Sequence, residues 1–464
     1  MASSQIARRI AVISLWPSGC LAVFASGSIA DPYLIVLRGP SGVGLLIASF
    51  AVAAALMLRG FWSNRGIVGK LLVLLWCLPS PAMLAAQMTF EARRNSVLHA
   101  EGPQLGALGR HFIVGYNSFD EVAPLAARGL IGGIYIATHN IADRTSQDLK
   151  LEIAKLQAMR RANGLPPLIV ATDQEGGIVS HLSPQLTPLP ALSTLAPLPP
   201  DQRADAAELF GSIHGRELAE LGVTLNFAPV VDLLHTHPHN FLDSNSLISR
   251  RAISGDPAVV TEIATAYIRG LEREGVEATV KHFPGLGGVE TDTHHFRADL
   301  DTPVSELEAS DWIPFRQTLA RSSAFLMIGH VAVTALDPTR LASHSKPVIH
   351  DLVRGKWGFQ GIIVTDDLVM GAVYRHVCTA AVEALNAGAD LLLVAYDGQQ
   401  YFGIFDCVRA AFDRGELDIA ALQSSDARLE SRIQGRDGEH GDRAGIPSGV
   451  SWQDGLRAPG RRQN

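Results

Sequence analysis

Hydrophobic positions are arranged in two different ways along this chain. From Gly102 to Arg432, short apolar runs alternate with amphipathic stretches of helical period. The runs are His111–Gly115, Gly132–Ala137, Leu168–Thr172, Thr224–Val231, Ala278–Lys281, Ala324–Gly329, Gly361–Thr365 and Ala389–Ala395. Their β-branched content suits buried strands of a parallel sheet. Helical patterns fall between them at Thr145–Asn163, Asp201–Leu221, Asp256–Glu274, Val304–Arg321 and Val377–Ala387. Eight such runs in roughly 330 residues predict an α/β fold, a (β/α)8 TIM barrel, rather than an open doubly wound sheet. No G-x-G-x-x-G turn follows the first run, which speaks against a dinucleotide-binding domain.

Ahead of this region the pattern is continuous rather than periodic. Ile10–Ala30, Gly39–Leu58 and Leu71–Phe90 carry no charge, and each is about 20 residues, enough to cross a bilayer as a helix. Pro17 and Gly19 leave the first stretch open to a second reading, a signal peptide ending near Ala30. Three consecutive charge-free stretches weigh against buried helices of a soluble domain. Arg8 and Arg9 precede the first stretch, and Arg59, Arg65 and Lys70 lie between the second and third. Asp31 and Arg38 alone separate the first from the second. Basic residues favour the cytoplasmic side, so the N-terminus is expected inside and the barrel outside, although Arg93 and Arg94 oppose this. Anchoring in the inner membrane with a periplasmic or extracytoplasmic barrel is the expected arrangement. The expected organisation is a membrane-spanning region over 1–90, a linker over 91–103, the barrel over 104–434 and a disordered tail over 435–464.

Composition adds limits. The chain has 464 residues, 47% of them apolar, and a formal net charge of −7, so nothing global points to nucleic acid. Mean hydropathy is +0.16, and the excess lies at the front. Cys20 and Cys77 fall in the apolar front, and Cys378 and Cys407 show neither zinc nor C-x-x-C spacing. Neither a disulfide framework nor thiol chemistry is expected.

Candidate chemistry collects where the apolar runs end. Asp173 follows Thr172, Lys281-His282 follow Val280, and Asp366-Asp367 follow Thr365; Asp292-Thr293-His294 lies in the loop after Lys281-His282. The C-terminal mouth of a β/α barrel is where such enzymes keep their reacting groups. Asp366 is expected to face the pocket, with Asp367 supporting it or capping the next helix. A buried lysine without a carboxylate is costly, so Lys281 should meet an acid or a polar ligand. Adjacent residues on a strand face opposite ways. Lys281 and His282 can therefore share one ligand only if the strand stops there. Asp292 and His294, two apart, can pair when the loop curls, which would orient a ring suited to proton transfer near neutrality. His235, His237 and His239 form a histidine-rich loop without helical spacing or a carboxylate set, and an ordinary loop is expected over a metal site. Gly285, Gly287 and Gly288 lack the Lys-Ser/Thr of a phosphate cradle.

Over about residues 104–430 the chain resembles the bacterial β-N-acetylglucosaminidases of glycoside hydrolase family 3. The resemblance rests on Asp173-Gln174-Glu175-Gly176-Gly177, Asn226-Phe227-Ala228-Pro229-Val230-Val231-Asp232, Lys281-His282-Phe283-Pro284-Gly285, Asp292-Thr293-His294, His330-Val331, Thr365-Asp366-Asp367-Leu368-Val369-Met370 and Asn386-Ala387-Gly388-Ala389-Asp390. It implies a retaining mechanism on a carbohydrate substrate. Asp366 matches the family's nucleophile, His294 its acid/base and Asp292 the orienting partner. Asp173, Lys281 and His282 match residues that hold sugar hydroxyls, and Arg251 resembles the arginine that approaches the sugar. No metal or organic cofactor is implied. The pattern is departed from at Ile178 and His181, where the family has arginines, at Leu286, where it has histidine, and at Ile253, where it has phenylalanine. Removal of terminal β-linked N-acetylglucosamine from glycans such as cell-wall fragments is the expected activity. The alternatives are phosphorolysis or another β-glycoside, and non-catalytic glycan binding. Oligomeric state is not legible.

Overall fold

A computed structural model describes residues 2–102, 104–235, 246–289 and 291–439. The chain divides into two compact units, Met1–Ala100 and Glu101–Asn464.

In the first unit, Ile10–Gly27, Pro40–Leu58 and Gly66–His99 are helices long and apolar enough to cross a membrane. The helix Ala2–Gly27 runs through Pro17. One of its carbonyls takes a partner from another segment: Trp76 Nε1 donates to the Leu15 carbonyl at 3.1 Å. Past the helix end, Arg38 Nε and Nη2 donate to the Ile29 and Ala30 carbonyls at 2.8 and 2.7 Å. Small and apolar side chains, Ala22, Ala53, Leu72, Val73 and Trp76 among them, pack the interior of this unit. Ile13, Leu21, Ile47 and Phe50 point outward, the reverse of a water-soluble bundle. Residues 91–99, expected as linker, continue the helix Pro79–His99. Glu91 and Arg94 pair one turn apart at 3.3 Å, and the segment is built of good helix formers.

The second unit is a closed parallel barrel. Its strands, in chain order, are β1 Phe112–Gly115, β2 Gly133–Ile136, β3 Ile169–Thr172, β4 Leu225–Asn226, β5 Glu277–Phe283, β6 Phe325–Ile328, β7 Ile363–Asp367 and β8 Leu391–Val394. All eight overlap the expected apolar runs, and β5 and β7 extend past theirs. Alternate residues fill the interior: Ile113, Tyr135, Ala171, Leu225, Met327 and Leu393 belong to one buried cluster. The helices obey local signals. Thr145 and Asp148 form a reciprocal cap on Ser146–Ala162, with bonds of 3.1 and 3.0 Å. Asp256 caps Pro257–Arg273, donated to by the Ala258 N–H at 2.8 Å.

Several expectations are corrected. Thr224–Val231 was expected as one strand, but only Leu225–Asn226 makes the ladder. Pro229 has no N–H to give, and the chain rejoins β5 by a bridge from Val230 to Lys281. Val304–Arg321 was expected as one helix but breaks into Val304–Ala309 and Trp312–Leu319. Ser310 leaves helical geometry ahead of Pro314, and Asp311 turns to meet His235 at 2.7 Å. The helices Phe119–Ala127 and Tyr401–Asp413 were not anticipated. Helix Ile419–Glu439 reaches into the stretch expected as tail. Residues 440–464 of that expected tail lie outside the described residues.

That last helix closes the N-terminal end of the barrel. Leu429 enters the interior cluster. Arg110 pairs with Asp426 and Glu430 at 3.1 Å each, and Arg432 Nε donates to both Glu277 oxygens at 2.8 Å. Asp390, at the entry to β8, receives Ser425 Oγ at 2.7 Å, Arg428 Nε at 2.8 Å and the Ile363 N–H at 2.7 Å. Bonds at this end hold the barrel shut; the opposite end is left for chemistry.

Cys378 and Cys407 form a disulfide, contrary to the expectation of none. They lie on the neighbouring helices Val377–Ala387 and Tyr401–Asp413, with Cα atoms 5.5 Å apart. A separation of 29 residues gives no sequence signal for such a pair.

Candidate active site

The mouth of the barrel gathers the expected residues from four strands or the connections that leave them. Asp173 follows β3, Arg251 ends the short helix Ile248–Arg251 after β4, and Lys281 and His282 belong to β5. Asp292 and His294 lie beyond β5, and Asp366 and Asp367 end β7.

Lys281 is only 2% exposed and lies between two carboxylates. Its Nζ contacts Asp173 Oδ1 and reaches Glu175 Oε1 at 2.6 Å. Glu175 also takes Arg251 as a fork, at 2.6 Å from Nη2 and 3.0 Å from Nε. Asp173 receives the Tyr135 hydroxyl at 2.6 Å. Burial alone would raise Asp173, but the charges of Lys281 and His181 and the bonds from Lys281 and Tyr135 hold it at about 2. Burial likewise opposes ionisation of Glu175, and Arg251 and Lys281 override it and lower its pKa. Two carboxylates and two cations thus neutralise one another in a largely buried site. Lys281→Met should leave both acids without their shared cation and destabilise the fold by about 3–5 kcal/mol. Urea denaturation checks this; an unchanged midpoint would show that the acids do not depend on Lys281.

His282 joins this network to a second. Its Nδ1 and backbone N–H donate to Asp232 Oδ2 at 2.7 and 3.2 Å, and Asp232 Oδ1 receives the Leu286 N–H at 2.7 Å. Arg251 Nη2 lies 3.2 Å from His282 Nε2, and guanidinium can only donate, so Nε2 accepts. The strand was expected to stop at these residues. Instead β5 continues to Phe283, with its register against β6 shifting between Val280 and Phe283. Both side chains meet the same cluster within that irregular stretch, where the Lys281–His282 peptide is cis. Gly287 is required by close approach: a Cβ there would lie 2.0 Å from the Leu233 carbonyl oxygen.

The Asp292–His294 pair forms as the spacing suggests. Asp292 Oδ1 receives both the backbone N–H and Nδ1 of His294 at 2.9 Å. The carboxylate is 1% exposed and the imidazole 36%, so the acid is fixed and the ring reaches open space. The loop is braced twice. Ala298–Leu300 pairs in parallel with Val331–Val333, and the Gly371 N–H donates to the His294 carbonyl at 2.7 Å. Gly371 lies four residues beyond the end of β7, so the loop of His294 is tied to the strand of Asp366.

Asp366 is half-buried at the end of β7. Burial would raise its pKa, but the imidazoles of His282, His330 and His294 and the Asp367 N–H, 2.8 Å from Oδ1, lower it. Asp367 turns away into the backbone. It receives the N–H groups of Val369 and Ala395 at 3.0 Å and of Tyr396 at 2.8 Å. Burial outweighs these bonds and pushes it up to about 6. The connections after β7 and β8 are thereby tied to one side chain, as expected of a supporting residue. His330 completes the floor: Nε2 donates to the Asp367 carbonyl at 2.9 Å, and Nδ1 meets Ser343 Oγ at 2.8 Å.

Glu175, Asp232, Tyr135 and His330 belong to this site but carried no assigned role. Glu175, Asp232 and His330 stand inside or just after apolar runs, the signal that singled out Asp173. Tyr135 is hidden within a strand. Of the altered positions, His181 Nδ1 lies 3.0 Å from the Tyr135 hydroxyl, Leu286 is buried and Ile178 is exposed. His235 pairs with Asp311, whereas His237 and His239 of the histidine-rich loop lie outside the described residues.

The profile of the glycosyl hydrolase family 3 N-terminal domain matches residues 98–431. A beta-hexosaminidase of Nitrosomonas eutropha is 33% identical over 308 residues, covering 63% of this chain and 84% of that protein. A beta-hexosaminidase of Pseudomonas aeruginosa is 34% identical over 306 residues, covering 66% and 82%. The solved structure of a family 3 beta-N-acetylglucosaminidase from Paenibacillus superposes with a TM-score of 0.66 at 31% identity, covering 75% of this chain and 65% of that one. A profile match across most of the chain, on a closed barrel with its polar network at the strand ends, shows that the chain belongs to glycoside hydrolase family 3.

Proposed function

We propose that this protein is a retaining β-N-acetylhexosaminidase that removes terminal β-linked N-acetylglucosamine, with Asp366 as nucleophile and His294 as acid/base. The observation that carries this reading is the bond from the Gly371 N–H to the His294 carbonyl, which ties an oriented, solvent-reaching imidazole to the strand of a low-pKa carboxylate. The substrate class is supported by the relatives named for hexosaminidase activity.

In the first step an Asp366 oxygen attacks the anomeric carbon. The bond to the leaving oxygen breaks, and His294 Nε2 supplies that oxygen with a proton. In the second step water attacks the same carbon, His294 takes the proton and Asp366 leaves. Most retaining enzymes place a second carboxylate in this role. Here Asp292 holds Nδ1–H, which leaves Nε2 to face the substrate and stabilises the imidazolium. Asp173, Lys281 and His282 supply acceptors and donors for sugar hydroxyls, and Arg251 keeps Glu175 and His282 in register with them.

An aryl β-glycoside screen tests this. N-acetylglucosaminide should be hydrolysed well ahead of glucoside, with release of free sugar whether or not phosphate is present. Sugar 1-phosphate as the main product would favour the phosphorylase reading, and binding without turnover on calorimetry the non-catalytic one.

Attachment to a membrane through the N-terminal helices, with the barrel on the extracytoplasmic side, is supported by Arg59, Arg65 and Lys70 between the second and third spans. The Cys378–Cys407 disulfide also suits an oxidising compartment. A C-terminal alkaline phosphatase fusion should be active; activity only from a cytoplasmic reporter would reverse the topology.

A further inference from the structure

Exposed apolar side chains of the second unit are not scattered. Among its described residues six large ones stand exposed: Leu151, Ile178, Leu234, Phe296, Tyr396 and Ile419. Four of these, Ile178 at 42%, Leu234 at 40%, Phe296 at 60% and Tyr396 at 65%, lie on connections leaving the C-terminal ends of barrel strands. Ile178 follows β3, Leu234 follows β4 and Phe296 follows β5, which are neighbours in the barrel. Tyr396 follows β8, which pairs with the strand of Asp366.

Two of them are tied to the residues that support the reacting groups. The Phe296 N–H donates to the Asp292 carbonyl at 3.0 Å, and the Tyr396 N–H donates to Asp367 Oδ2 at 2.8 Å. The sugar-holding network is charged and buried, but this rim is apolar and open. A leaving group that departs across this rim would meet hydrocarbon and aromatic faces. Aromatic rings can stack on a sugar. Ile178 and Leu234 offer neither a π-face nor a hydrogen bond, only surface that is released from water by an alkyl chain. The same chain carries helices apolar enough to cross a membrane, where sugars linked to hydrocarbon are concentrated.

We propose that the rim formed by Ile178, Leu234, Phe296 and Tyr396 is an aglycone site for hydrocarbon, which makes amphiphilic β-N-acetylhexosaminides, the sugar-on-lipid class, preferred substrates. This rests on the glycosidase reading above and narrows its substrate. The reaction is unchanged: the leaving oxygen, protonated by His294, departs as a long-chain alcohol.

The test uses the full chain in lipid nanodiscs with methyl, butyl, hexyl and octyl β-N-acetylglucosaminides below micellar concentration, beside chitobiose and an aryl N-acetylglucosaminide. kcat/KM should rise roughly 4-fold for each methylene that the rim covers, about 200-fold over four. Phe296→Ser with Tyr396→Ser, and separately Ile178→Ser with Leu234→Ser, should flatten that dependence. A flat wild-type series alongside aryl turnover overturns the proposal and leaves the glycosidase reading standing. A slope unchanged in both double variants also overturns it, because partition into the nanodisc would then be its source. Loss confined to chitobiose overturns it in favour of sugar stacking. No turnover of any glycoside, the aryl one included, overturns the glycosidase reading and this proposal with it.

Discussion

Asp366→Ala is expected to lower hydrolysis of an aryl β-N-acetylglucosaminide by roughly 10⁴-fold or more while leaving the fold intact. The carboxylate supplies the bonding electrons for the first step, and no neighbour can replace it. Asp367, next in the chain, is committed to three backbone N–H groups. Asp173 and Glu175 are held by Lys281, and Glu175 also by Arg251. The fold should survive, because Asp366 is half-buried and the only bond from a described group to its side chain is the adjacent Asp367 N–H. A slow 2-fluoro sugar should label the wild-type peptide that contains Asp366, and mass spectrometry locates the adduct. Wild-type rates in the alanine variant, or an adduct on another residue, would end the nucleophile assignment.

His294→Ala should lose on the order of 10²–10⁴-fold with a poorly leaving alkoxide and distinctly less with a nitrophenolate, which departs without a proton. The contrast between leaving groups isolates the proton from any general disturbance of the loop. The loop itself should hold, because its anchors are backbone bonds: the His294 and Thr293 carbonyls receive Gly371 and Ala372 N–H groups at 2.7 and 3.3 Å. Equal losses for both leaving groups would remove the acid role. Asp292→Asn should share the trend more weakly, since an amide can still hold Nδ1–H but stabilises the imidazolium less.

The barrel was legible because its signal is local. Most strands are short apolar runs, because burial on both faces makes such a run apolar throughout, as in Phe325–Ile328 and Leu391–Val394. The mouth was legible for a related reason, because polar residues ending an apolar run mark where a strand leaves the core. This found Asp173, Lys281, His282 and Asp366. It passed over Tyr135, whose hydroxyl reaches Asp173 from within a strand.

By itself the sequence determined which segments are strands, which helices are apolar enough for a membrane, and which residues stand at the strand ends. These follow from hydrophobic period and from the cost of burying polar groups, both read within a few residues. Only the tertiary structure decided which of those groups meet. Lys281 joins Asp173 from 108 residues away, Arg251 reaches back to Glu175, and the final helix plugs the barrel through Leu429 and Arg432. Cys378 met Cys407 for the same reason, two helices packing side by side. Closing the barrel sets these distances, and a local pattern holds no record of which strand ends will face one another across its mouth.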